Sequence, residues 1–335
     1  MKNRNLFKAG VVALSVVLIA CAGGSSAEAG CPVIEDRKIN VVATTPMIGE
    51  FVSQVGGDNI NLTILMPPEA DPHSYDPAPQ DAGTIADADL IFYTGLKYEP
   101  AAVVKLLESS ACSTNAIAEV GENVYPIEFE EGGHDDHGDN DEEGHDDEEG
   151  HDDHEGHDHG AYDPHFWFDP NRVVYAAEYI ESKLVEFDPN NSVSYESAGS
   201  AYTDELKGLI AQVSDLISTV PSQNRKLITT HESLGYLEAK FGLEVLSTII
   251  PSVDSANEIS PAKLVDVIDV IEDNNVKVIF IEAEAPSVYA ETIVAETGIK
   301  AVEGLWVETL KAGQSYPDFL ITAVELIVEN LRNAD

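Results

Sequence analysis

The sequence predicts an α/β protein of two lobes, each with a mainly parallel sheet flanked by helices, joined by a long helix. Three observations lead there. Short runs rich in Val, Ile and Thr alternate with segments of helical period, the pattern of a parallel sheet covered by helices on both faces. The alternation runs once up to Gly95 and again after PSQNRK at 221–226. Between the two, residues 193–219 carry Tyr195, Tyr202, Leu206, Leu209, Ile210, Val213 and Ile217 at helical spacing with few turn signals.

The elements follow in order. Lys2, Arg4 and Lys8 precede an apolar run over residues 9–20 that is too short to span a bilayer comfortably, which is the form of a secretory signal. Leu18-Ile19-Ala20-Cys21 fits lipidation at Cys21, with GGSS behind it as a flexible tether. AEA at 27–29 fits ordinary cleavage, with a chain beginning near Gly30. The tether favours the lipid anchor, and either form puts the mature chain outside the cytoplasm. There disulfides persist, so Cys31 and Cys112 can form one bridge if the fold brings them close. Residues 1–30 are thus signal peptide and tether.

KINVVATT (38–45) reads as a buried strand, and PMIGEFVSQVGG as a helix stopped by Gly56-Gly57. NLTILM (61–66) is a second strand running into PPEADPHSYDP. QDAGTIADAD is helical, DLIFYTG is the next strand, and residues 171–186 form a further helix. The second half reads LITT strand, SLGYLEAKFG helix, LEVLSTI strand and SPAKLVDVIDVIEDN helix, the last with Ser260 as N-cap and Pro261 in the first helical position. VKVIFIE strand, PSVYAETIVAETG helix, KAVEGLW strand and a helix over 316–332 complete it. The lobes are 31–190 and 221–335, with a linking helix over 191–220.

Charge narrows the partners. The chain has 61 acids against 18 bases and a formal net charge of −43, which argues against nucleic acid. Residues 131–160 hold 15 acids, no Lys or Arg and no apolar side chain able to build a core, and predict a disordered loop. Seven of the ten histidines lie there: His134, His137, His145, His151, His154, His157 and His159. Set among carboxylates, they form adaptable, weaker metal sites that could collect zinc.

The other three histidines are different in kind. His73 stands in DPHSYDP (71–77), His165 in DPHFWFDP (163–170), and His231 follows the apolar run KLITT. Each sits at an element boundary, within two residues of a carboxylate. Three neutral imidazoles plus one carboxylate make a good tetrahedral set for Zn²⁺. Their wide spacing excludes a local zinc knuckle, so a prebuilt fold must gather them. In open α/β sheets, ligands bind beyond the carboxyl ends of strands, where His73, His231 and WVE (306–308) fall. A catalytic zinc would also use three histidines, but no HExxH or nucleophile motif supports a hydrolase.

DPHSYDP, TGLKYEP, DPHFWFDP, the long central helix, THESLGYLEAKFGL, IFIEAE and GLWVETL, in that order, resemble the metal-binding solute-binding proteins of ABC importers that serve zinc and manganese. The resemblance covers essentially the mature chain. It implies two α/β lobes joined by a rigid helix, with metal buried between them and no reaction catalysed. His73 and His165 of the first lobe and His231 and Glu308 of the second would be the ligands. Glu308 stands where the family usually has Asp, so either it or water completes the set. Members resembling manganese binders carry a carboxylate at the position of His231; histidine there favours Zn²⁺ over manganese or mixed-metal transport.

The implied partners are an ABC permease and its ATPase subunit, served by a monomer held to the membrane through Cys21. Asp71, Asp76, Asp163 and Asp169 are candidates for orienting the imidazoles. Glu232 and Glu282 read better as salt-bridge or capping residues. Tyr75, Phe166 and Trp167 read as packing of the interlobe wall. Binding should weaken as pH falls through the histidine range, because protons compete for the rings.

Overall fold

The computed structural model describes residues 37–129, 162–250, 260–284 and 289–332, with Ala334. The signal segment with Cys21, Cys31 and the histidine tract lie outside the described residues. Cys112 is disulfide-bonded.

In the first half, β1 (Ile39–Ala43), α1 (Pro46–Gly56), β2 (Ile60–Ile64), α2 (Pro79–Ala86), β3 (Leu90–Tyr93), α3 (Ala101–Ser110) and β4 (Ile117–Glu119) follow one another. Two helices come next, α4 (Pro170–Phe187) and α5 (Ser192–Ser218). The second half holds β5 (Lys226–Thr229), α6 (Gly235–Phe241), β6 (Glu244–Thr248), α7 (Pro261–Asn274), β7 (Val278–Glu282), α8 (Tyr289–Thr297), β8 (Lys300–Leu305) and α9 (Tyr316–Arg332). Two of these, α3 and β4, are absent from the sequence reading. AAVVKLLESS is a short, weakly amphipathic run, and three residues of strand carry no period to detect.

Both sheets are parallel and have four strands, ordered β2-β1-β3-β4 and β6-β5-β7-β8. Representative partners are Val41 with Leu90 in the first and Ile228 with Ile279 in the second. Each order reverses direction once, between β1 and β3 and again between β5 and β7. Such reversals open a crevice beyond the strand ends.

Side chains alternate across the strands, and on the central strands β1, β3, β5 and β7 both faces are largely buried. Val41, Phe92 and Phe280 point into one large core, whereas Val42, Ile91 and Ile279 face smaller outer clusters under α2, α3, α7 and α8. The large core runs without a break from the first sheet through α1, α4, α5 and α9 to the second sheet. The long helix α5 is therefore more than a strut. Tyr195, Tyr202, Leu206, Leu209, Val213 and Ile217 are buried along its length, and only its other face meets solvent.

Local signals set the ends that matter. Thr45 caps α1 by accepting from the Ile48 amide at 3.2 Å, with Pro46 in the first helical position. Ser260 caps α7 in the same way, accepting from Lys263 N at 3.2 Å. Among the described residues no helix is long and apolar enough to cross a membrane.

Candidate metal centre

The two Asp-Pro-His motifs share one backbone device. Asp71 Oδ1 accepts from the His73 amide at 3.0 Å, and Asp163 Oδ1 accepts from the His165 amide at 2.8 Å. Each is an Asp bonding the main chain two residues on, in a turn whose approach proline has stiffened. Asp169-Pro170 repeats it, with Asp169 Oδ1 accepting from Asn171 N at 3.0 Å to cap α4. The motifs differ in what else the Asp does. Asp163 Oδ1 also lies 2.9 Å from Nδ1 of the His165 ring, while Asp169 stays a helix cap. Asp163 is itself held by Tyr236, whose hydroxyl donates to its carbonyl at 2.8 Å. Gly235 permits that approach, since a Cβ there would meet Asp163 Oδ2 at 2.7 Å.

His231 stands just past the end of β5, at the reversal between β5 and β7. Its ring Nδ1 contacts Glu282 Oε2, and its amide donates to Glu282 Oε1 at 3.2 Å. Glu282 is the last residue of β7 and also accepts from Ser233 Oγ at 3.3 Å. Of the salt-bridge or capping duty expected of Glu282, the structure gives a salt bridge, and its partner is the candidate ligand His231. With Nδ1–H held by a carboxylate in both His165 and His231, the Nε2 lone pair is left for a metal.

Glu308 lies in the loop after β8. The amides of Val307, Glu308 and Thr309 all donate to Glu284 Oε1, at 3.1, 3.0 and 3.3 Å, which fixes the loop from beneath. Glu308 Oε1 lies 2.6 Å from His231 Nε2, 3.3 Å from His165 Nε2 and 3.5 Å from His73 Nε2. The ligand atoms of the four residues lie within 4.8 Å of one another. A tetrahedron with metal–ligand bonds of about 2.0–2.2 Å has edges of roughly 3.3–3.6 Å, so modest shifts would seat an ion among them.

Two observations favour a cation there. His73 Nε2 and His231 Nε2 are buried and make no hydrogen bond; the short His231–Glu308 approach lacks hydrogen-bond alignment. Leaving a group such as His73 Nε2 unpaired costs about 1–3 kcal/mol, a cost that coordination removes. The electrostatics agree. Burial opposes charge on His165, but Glu308 and the bond to Asp163 outweigh it and raise the ring to about 9. Burial likewise opposes charge on His231, yet Glu282 and Glu308 hold its ring well above the usual range. Burial pushes Glu308 up, but His165, His73 and His231 together draw it well below.

The surroundings are tight. Trp167 packs its ring 5.4 Å from His165 and 5.3 Å from that of Tyr98, and its Nε1–H donates to Val307 O at 2.8 Å. Phe166 and Trp167 are fully buried, as a wall requires. Tyr75 is not part of that wall: its hydroxyl donates to Asp81 Oδ2 at 2.8 Å and braces its own loop. Glu232, raised to about 7 by burial and the charge of Asp163, accepts from Thr248 Oγ1 at 3.4 Å. A cavity of about 670 Å³, lined by His73, Lys97, Tyr98, Glu119 and Tyr162 among others, adjoins the His73 side.

Two contributors escaped the sequence reading. Tyr98 of TGLKYEP donates to Glu308 Oε2 at 2.9 Å, and Glu284 of IFIEAE holds the Glu308 loop. Only their place in shared motifs marked them. If Glu282 orients His231, Glu282→Gln should weaken tight metal binding about 10–100-fold, as loss of an outer carboxylate partner typically does. A chelator competition against the unsubstituted protein measures it.

Residues 41–330 match the family described as zinc-uptake complex component A, periplasmic (ZnuA). The manganese ABC transporter substrate-binding lipoprotein PsaA of Streptococcus mitis is 28% identical over 329 residues, covering 94% of this chain and 95% of that one. The periplasmic zinc binding protein TroA from Treponema pallidum aligns with a TM-score of 0.73 at 23% identity, covering 88% of this chain and 100% of that one. Fe(III)-bound YtgA from Chlamydia trachomatis gives 0.71 at 22% identity, over 88% and 98% of the two chains. At these identities the solved structures speak for the fold alone. Their names and that of PsaA carry three different metals, so the donor set, not the architecture, must choose the ion.

Proposed function

This chain belongs to the family of the periplasmic zinc-uptake complex component A, and from that premise we propose that it captures Zn²⁺ outside the cytoplasm and hands it to an ABC import permease. It is a metal-binding solute-binding protein of the importer type, a transport component and not an enzyme. His73, His165, His231 and Glu308 are the proposed ligands, with zinc as cargo. The permease and its ATPase subunit are the proposed partners, and Cys21 is the proposed lipid anchor, in keeping with relatives named as lipoproteins.

One observation carries the choice of zinc: the four gathered donors are three imidazole nitrogens and one carboxylate oxygen. Four donors dominated by nitrogen suit borderline-soft Zn²⁺. Manganese prefers harder, oxygen-rich sites of higher coordination number. The manganese named for PsaA makes manganese the competing reading, and a competition separates the two. Protein lacking residues 131–160 should bind one tight equivalent of Zn²⁺ against a chromophoric chelator and keep it in excess Mn²⁺. Displacement of zinc by equimolar manganese would reverse the assignment. Loss of all tight binding on deleting the tract would make the tract the receptor instead.

A further inference from the structure

We propose that Tyr98 is a specificity-determining positioning residue: by holding one oxygen of Glu308, it restricts that carboxylate to a single donor atom and fixes a four-coordinate site. The inference rests on the ligand set proposed above. It concerns how many atoms that set offers, and hence which ion it prefers.

The two oxygens of Glu308 have separate surroundings. Oε1 faces the three Nε2 atoms of His73, His165 and His231. Oε2 accepts from the Tyr98 hydroxyl at 2.9 Å. That hydroxyl also lies 3.0 Å from the main-chain oxygen of Glu308, so it is anchored to the backbone of the same residue. For Glu308 to chelate an ion through both oxygens, the carboxylate would have to rotate off Tyr98. The phenol would then exchange a charge-assisted bond to the carboxylate for a weaker one to the Glu308 carbonyl.

Tyr98 is placed to resist that rotation. It is fully buried, its ring packed edge-on against His73 at 4.8 Å and Trp167 at 5.3 Å. The turn before it is unusual. Gly95, Leu96 and Lys97 have φ of 77°, 53° and 61°, a left-handed run that only the glycine adopts without strain. Carboxylates hold this turn: Glu99 accepts from Thr94 N at 2.7 Å and Gly95 N at 3.0 Å, and Glu119 accepts from Leu96 N at 2.9 Å. A strained turn tied at three amides is a rigid mount for the hydroxyl. Tyr98 follows β3 in the first lobe and Glu308 follows β8 in the second, so the restriction operates only when the lobes meet around the ion.

Coordination number then becomes selectivity. Zinc is satisfied by three nitrogens and one oxygen in a tetrahedron. Manganese needs more oxygen donors, and the nearest one is the atom that Tyr98 withholds.

The test compares wild-type protein with Tyr98→Phe, both lacking residues 131–160, using Co²⁺ as a spectroscopic probe beside Zn²⁺ and Mn²⁺ titrations. Wild type should show the intense visible bands of tetrahedral cobalt. The variant should keep one bound equivalent, lose band intensity as the second oxygen enters the coordination sphere, and shift the zinc-to-manganese affinity ratio toward manganese by about tenfold. An unchanged spectrum and ratio in the variant would overturn the inference while leaving the metal site standing. Weak five- or six-coordinate absorption from wild type would overturn it without reference to any variant. If neither protein held a tight equivalent, the ligand set itself would fall, and this assignment with it.

Discussion

Replacing His231 by alanine is expected to lower zinc affinity more than about 100-fold, since loss of an outer carboxylate partner alone typically costs 10–100-fold. The change removes one of three nitrogens and leaves a void against Glu308. It also takes the ring away from Glu282 Oε2, while Oε1 keeps the main-chain amide and Ser233 Oγ. A buried carboxylate deprived of its partner takes up a proton or recruits water, and neither restores a donor at the vacated position. The measurement is a competitive zinc titration of protein lacking residues 131–160, with and without the substitution. A variant that retained the tight equivalent would show that His231 is a structural residue. His231→Asp should recover part of the binding and move preference toward manganese, as expected when carboxylate replaces imidazole.

The second large effect concerns the wall rather than the ligands. Trp167→Ala should destabilise the protein by about 3–5 kcal/mol, the usual range for truncating a fully buried tryptophan. Its ring is wedged among Tyr98, His165 and Phe166, and no neighbour there is free to fill the space. The indole also bridges the lobes through Val307 O, next to Glu308. Trp167→Phe keeps part of the packing; it forfeits that bond, about 1 kcal/mol, and opens a smaller cavity, so its loss should fall well below that of alanine. Urea denaturation of metal-free protein gives both values, read as a lowered midpoint at constant slope. Equal losses for the two variants would mean that the bond to Val307, not the packing, matters here.

The fold class was legible because both periods are strong where elements are long. Residues 193–219 show their buried stripe on the page, and α5 spans Ser192–Ser218. Three-residue β4 and the short α3 fell below what a period can reveal. The candidate ligands were legible for a different reason: outside the tract only three histidines exist, each at a strand or turn boundary. What supports them was not. Glu282 meets His231 because β7 lies beside β5, a pairing that follows from sheet order and not from any local signal. Tyr98 and Glu308 are 210 residues apart and touch only across the lobes. Asp163 and Asp71 look alike in sequence, and that Asp163 Oδ1 also meets Nδ1 of the His165 ring is visible only in the fold.

The helix layer shared by the two sheets has a kinetic consequence for the proposed carrier. Drawing the sheets apart would bring the rings of Trp167, Phe166 and Tyr316, now fully buried, toward water together with the ligands. The open form is then a rare excursion, not a second resting state. An ion that has reached the donors stays as long as that excursion is rare, whatever the supply outside does meanwhile. Exchange of the proposed cargo with the medium is therefore expected to be slow, so that the ion in hand records the last encounter instead of a running average of what is available.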